Sequence, residues 1–190
     1  MTNKSAWLLS SGALLAGVSV AEVAFASQYL TAAQAQAALF PDATEFRPTL
    51  LALSDAQRDR IRAAAKTRTP IPDKQIWQVF NGTTPDGWFV VDEVYGKHEF
   101  ITYAVALDAN GAVRGLEILD YRETHGAQIR NASWRQQFVG KQNGAALKLD
   151  TDIQNISGAT LSCLHVTEGV RRVLALHREA LTTVQKASND

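Results

Sequence analysis

The chain is short of almost everything that announces a reaction. Among its 190 residues Cys163 is the only cysteine, so no internal disulfide can form and the fold must stand on its core. A lone cysteine also excludes four-cysteine zinc sites, iron–sulfur cages and c-type haem attachment, which needs Cys-x-x-Cys-His. Charge of one sign is lacking as well: 19 basic residues are matched by 19 acidic ones. That balance leaves no electrostatic footprint for nucleic acid or an anionic membrane, so no nucleic-acid partner is expected. Neither G-x-G-x-x-G nor G-x-x-x-x-G-K-[ST] occurs, and noncovalent dinucleotide or P-loop binding loses its usual marker. A hydrolase could be assembled on paper from Ser162, His125 and Asp120, but no G-x-S-x-G elbow supports it. The histidines His98, His125, His165 and His177 show no pairing at i, i+3 or i, i+4, so no metal site is expected.

What is present has the composition of one compact globular domain, with 46% hydrophobic and 20% charged residues. The N-terminus reads as an address. Lys4 precedes an apolar or small run from Ala6 to Ala21, and Ala24-Phe25-Ala26 is a small-x-small cleavage signal ahead of Ser27. Residues 1–26 are therefore expected to be a signal peptide and the mature protein to be periplasmic. The run, interrupted by Glu22, is short of the ~20 residues a spanning helix needs; left uncleaved, it would make a membrane anchor instead.

Residues 27–72 read as a helical region. Thr31 with Gln34, behind Leu30, has capping-box spacing, and Pro41 closes that helix. Ser54 with Gln57 repeats the spacing behind Leu53 and opens a helix through about Ala65, with Ile61, Ala64 and Ala65 inward; Pro70 and Pro72 end the region. From Ile76 the texture changes to β-branched and aromatic runs. Ile76–Phe80, Trp88–Val94, Phe100–Leu107 and Val113–Tyr121 are four expected strands, separated by Asn81-Gly82, Gly96-Lys97 and Asn110-Gly111, and a meander is the simplest wiring. A short helix over Ala132–Val139 would turn Trp134 and Phe138 to one side. The last helix carries a stripe of Cys163, Val166, Val170, Val173, Leu174, His177 and Leu181, with Arg171, Arg172, Arg178 and Glu179 expected on its solvated face. The fold expected is α+β: an antiparallel sheet packed against a long C-terminal helix, with an N-terminal helical extension.

The chemistry is concentrated in Asp150–Ser162, D-T-D-I-Q-N-I-S-G-A-T-L-S, directly before that helix. Small, polar and glycine residues at a helix start leave backbone N–H groups unpaired, and the helix dipole adds positive potential, so a phosphate is stabilised there. Gly158 and Ala159 would let a bulky group approach the main chain. On residue types alone, Ser157 or Thr160 serves equally well as a plain N-cap.

Ser157-Gly158-Ala159-Thr160-Leu161-Ser162 resembles the S-G-A-T-x-[ST] run of the FMN-binding domain family. That family includes the flavin-carrying subunits of the sodium-pumping NADH:quinone oxidoreductase and of the ion-translocating ferredoxin oxidoreductase complex. A second motif agrees. Glu123-Thr124-His125-Gly126 resembles the family's E-T-P-G-like loop, with His125 in place of the common proline. Trp134-Arg135-Gln136-Gln137-Phe138-Val139-Gly140-Lys141 resembles the W-x-x-Q-F-x-G-K-like helix that follows.

The resemblance covers roughly Trp77 to Leu181, and residues 73–186 are assigned to that domain. It implies FMN joined by a phosphoester to Thr160, transferred from FAD by a Mg-dependent flavin transferase. Ser157, Gly158, Ala159, Leu161, Ser162, Glu123, Thr124, His125, Gly126 and Trp134 are the implied flavin neighbours. No catalytic residue is assigned, because Thr160 is a substrate of the transferase. The function implied is electron transfer between a membrane-bound redox protein and a downstream acceptor. The alternative is a non-catalytic accessory module of a membrane complex, docking through the region from Thr31 to Ala65. Trp88, Tyr121, Trp134 and Phe138 are the aromatic candidates for a wall beside the isoalloxazine.

Overall fold

The computed structural model describes residues 29–66 and 75–187. The expected signal peptide and the Pro70–Pro72 stop lie outside the described residues. Helix α1 spans Ala32–Leu39 and α2 spans Asp55–Ala65. Both begin with complete capping boxes. The Gln34 N–H donates to Thr31 Oγ1 at 3.2 Å while the Thr31 N–H donates to Gln34 Oε1 at 2.8 Å. Ser54 and Gln57 repeat the exchange at 3.3 and 3.0 Å, so each helix start satisfies two of its orphan donors.

The strands are β1 (Glu45–Pro48), β2 (Ile76–Asn81), β3 (Thr84–Tyr95), β4 (Phe100–Asp108) and β5 (Val113–Tyr121). They form one antiparallel meander in the order β1-β2-β3-β4-β5. Four of the five strands stand where the sequence puts them. The fifth is a correction: the N-terminal region is not helical throughout, because Glu45–Pro48 pairs with β2 in the register Glu45↔Phe80 to Pro48↔Trp77. Four residues are too few to show a period, and this strand exists by virtue of its partner. Phe46 fixes it, meeting Phe40 and Phe89 edge-on with ring centroids 6.1 and 6.2 Å apart.

Alternation along β3 divides the core. Trp88, Val90 and Val94 face the long helix α4 (Thr160–Leu176), whose buried stripe includes Cys163, Val166, Val170 and Val173. Phe89 and Val91 face the other way, where α1 closes the sheet with Ala35 and Phe40. Helix α2 lies beside α4, held by the Gln57 side-chain amide donating to the Glu179 carbonyl at 3.0 Å. The N-terminal region is thus woven into both layers of the core.

Arg172 also departs from expectation. It is 1% exposed, not on the solvated face, and its Nη2 lies 2.5 Å from Asp92 Oδ2. Asp92 continues the inward series Trp88, Val90, Asp92, and Tyr103 donates to the same oxygen at 2.5 Å. A charge on the helix-facing side of a central strand must meet a partner there.

Beyond α4 come a π-helical turn, His177–Leu181, and a final helix α5, Thr182–Ala187. His177 is buried and its Nε2 has no partner among the described residues. Burial holds its pKa below the ordinary imidazole value, against an opposing pull from Asp108. The unfolded chain takes up this proton near pH ~6.5, whereas the folded chain resists it. The stabilisation is therefore complete above that pH and is lost as pH falls below it. Unfolding free energy measured from pH 8 to 5 should decline with a slope of up to about 1.4 kcal/mol per pH unit from this group, and His177→Leu should remove that part of the slope.

Candidate functional site

A cleft of about 440 Å³ opens at one end of the sheet. Three separate stretches line it: Lys97 and His98 from the β3–β4 turn, Glu123–His125 after β5, and Gly158–Ser162 at the start of α4. The two motifs of the sequence therefore meet in space.

Thr160 is the first residue of α4 and Ala159 its N-cap, with no side-chain cap bond. Neither Ser157 nor Thr160 caps the helix, which sets the plain-cap reading aside. The first backbone N–H tied into the helix is that of Cys163, donating to the Ala159 carbonyl at 2.9 Å. The N–H groups of Thr160, Leu161 and Ser162 have no partner among the described residues, in contrast to the closed starts of α1 and α2. Gly158 precedes them at φ +82°, with nothing within 4 Å of where a Cβ would stand. Donors, dipole and open main chain form a seat for an anionic group. Thr160 itself is exposed.

The two loops are joined by Tyr121. Its hydroxyl donates to the His125 carbonyl and lies 3.2 Å from Ser162 Oγ. Burial raises the phenol above its ordinary pKa, so it remains a donor. Gly126, at φ +92°, sits against Ala159: a methyl group there would overlap the Ala159 Cβ and the Tyr121 hydroxyl. Gly126→Ala combines a left-handed backbone penalty with overpacking and should destabilise the fold by about 2–4 kcal/mol, measured by urea unfolding.

Glu123 holds the third wall. Its Oε1 accepts the backbone N–H groups of Lys97, His98 at 2.7 Å and Glu99 at 3.2 Å. Burial alone would raise this carboxyl; the bonds from His98, Glu99 and Lys97 outweigh it and hold the pKa below the usual value. Its charge is committed to the turn, leaving Lys97 and the imidazoles of His98 and His125 to colour the cleft.

Trp134 is buried and does not line the cleft. Its indole Nε1–H donates to the Gln154 carbonyl at 2.8 Å, Gln137 Oε1 accepts the Gln154 N–H at 2.7 Å, and Lys141 Nζ lies 3.2 Å from Asp152. The W-x-x-Q-F-x-G-K helix thus pins the strap that leads into Ser157–Thr160. It opens as α3 (Ala132–Arg135) and tightens to a 3₁₀ turn, with Trp134 and Phe138 edge-on at 5.1 Å.

None of the four aromatic candidates forms an exposed wall: Trp88, Tyr121, Trp134 and Phe138 are all buried. The exposed pair is Tyr95 and Phe100, 51% and 52% accessible, with centroids 5.2 Å apart on either side of the Gly96-Lys97 turn. Tyr95 donates to the His98 carbonyl at 2.7 Å. Neither ring lines the cleft. The hydrolase arrangement does not assemble, since Ser162 meets Tyr121 and Asp120 pairs with Arg122 at 2.7 Å. Cys163 is a buried member of the stripe, and burial raises its thiol pKa.

Residues 96–175 match the family model described as the FMN-binding domain. The chain carries an FMN-binding domain. No curated protein gives a significant match to it. The match spans all three walls of the cleft, and the residues there suit the group. Unpaired N–H donors and the nearby Lys97 fit a phosphate, the unobstructed Gly158 leaves room for it, and the volume falls in the roughly 300–1,000 Å³ range of small-molecule sites.

Proposed function

We propose that this FMN-binding domain carries its flavin covalently, as a phosphoester on Thr160. A Mg-dependent flavin transferase installs it, and the exported protein passes electrons in the periplasm between a membrane-bound redox protein and a downstream acceptor. The observation that carries this reading is the exposed Thr160 in a cleft lined by both motifs. When bound, the flavin supplies the redox chemistry, while the chain supplies position and electrostatics. The N–H groups of Thr160, Leu161 and Ser162 hold the phosphate. Lys97 adds positive potential, and Glu123 keeps its turn in place. A tether also suits a compartment in which a released cofactor would be diluted.

The test is to express the full chain in a bacterium that makes a flavin transferase and to isolate it from the periplasm. The expected product is yellow, bleached by dithionite and heavier by one FMN. Colourless protein of unmodified mass would overturn the reading and favour an accessory module.

A further inference from the structure

Asn155 does not line the cleft; it reaches Thr160 from the strap behind it. Its Nδ2 donates to Thr160 Oγ1 at 3.2 Å, and its Oδ1 is buried with no partner among the described residues. An orphaned amide oxygen costs about 1–3 kcal/mol, so a side chain kept this way calls for a reason. The strap gives Asn155 little freedom, because the preceding Gln154 is held through both its N–H and its carbonyl.

We propose that Asn155 is the positioning residue for modification of Thr160: its amide fixes the direction in which the hydroxyl oxygen faces the incoming phosphorus. This rests on the reading that Thr160 accepts FMN. In the transfer, Thr160 Oγ forms a bond to the phosphorus of the FMN half of FAD. The phosphoanhydride P–O bond breaks, AMP leaves with the bonding pair, and the hydroxyl proton passes to a base of the transferase or to water; nothing is oxidised or reduced. An amide suits both sides of this step. Rotation about its last torsion offers either Oδ1 to the hydroxyl proton or Nδ2–H to an oxygen lone pair, and the N–H can still donate to the ester oxygen once the proton has gone. A carboxylate can only accept, and it would stand as a negative charge beside the phosphate.

The experiment measures initial rates of FMN incorporation, by intact mass, into full-length wild type, Asn155→Ala and Asn155→Asp at increasing concentrations of acceptor protein, with FAD, Mg²⁺ and a flavin transferase. Both variants should lose about ten- to a hundredfold in maximal rate, the scale on which a misdirected reacting group acts, with half-saturating concentration and melting temperature close to wild type. Asn155→Asp keeps the side-chain shape while Asn155→Ala avoids a buried charge, so the two disturb the fold in different ways, and the rate is read on whichever melts like wild type. Equal maximal rates would overturn the proposal. So would a raised half-saturating concentration at unchanged maximal rate, which belongs to docking rather than positioning. Failure of the wild type to load removes the Thr160 reading and this role together; loading of the wild type with undiminished variants removes this role alone.

Discussion

Asp92→Ala is expected to lower the unfolding free energy by about 3–5 kcal/mol, the cost of leaving one member of a buried ion pair alone. Arg172 is 1% exposed and reaches Asp92 Oδ2 through Nε at 3.2 Å and Nη2 at 2.5 Å, with a further Nη2 contact to the Glu93 carbonyl at 3.2 Å. Burial pushes the Asp92 carboxyl upward against the opposing pull of Arg172 and Tyr103. Truncation of Asp92 strips the guanidinium of its counter-charge and the Tyr103 hydroxyl of its acceptor in the same stroke. Nη1 of Arg172 already lacks a partner among the described residues, so little remains to compensate. For a domain of this size the loss corresponds to a fall of about 6–20 °C in melting temperature. The double variant Asp92→Leu with Arg172→Met should be less damaging than Asp92→Ala, because it removes both charges and leaves apolar volume. Urea unfolding decides the matter, and a change under about 1 kcal/mol for Asp92→Ala would refute the argument.

Thr160→Ala should abolish FMN incorporation while leaving the fold intact. The side chain is exposed at the first position of α4, where alanine is a good helix former, so stability should stay within about 0.5 kcal/mol of wild type. Thr160→Ser keeps the nucleophilic oxygen but gives up the branched Cβ that restricts χ1, and should load more slowly. Ser157 and Ser162 are the neighbouring hydroxyls to watch. Ser162 is buried against Tyr121, so peptide mapping of Thr160→Ala should find it unmodified; a mass gain on that variant places the attachment elsewhere, with the exposed Ser157 the first position to map.

The fold was legible where its causes are local. Capping boxes at Thr31 and Ser54, turn dipeptides between strands and the three-four stripe of α4 each act within a few residues of themselves. Strand β1 was not legible, since nothing in Glu45–Pro48 acts until β2 lies alongside. Asp92 was half legible: the inward alternation Trp88, Val90, Asp92 marks a charge heading into the core, but its partner lies 80 residues on. The cleft divides the same way. Its two loops were visible as motifs, whereas Lys97 and His98 enter because the Glu123 carboxylate gathers N–H groups from a turn over twenty residues upstream. Trp134 was visible for its type, yet its task is to hold the strap, which only its bond to Gln154 discloses.

The weaving of the N-terminal region into both layers has a further consequence. Residues 96–175 contain β4, β5 and most of α4, but not β3, which pairs with β4, nor α1, nor the buried His177 and Leu181. Excised at those limits, the segment would keep two strands of five and bare both faces of them, and a lone pair of strands is marginal in water. The recognisable stretch is thus smaller than the cooperative unit. The cleft lacks autonomy: it depends on residues that never touch it and that no motif marks.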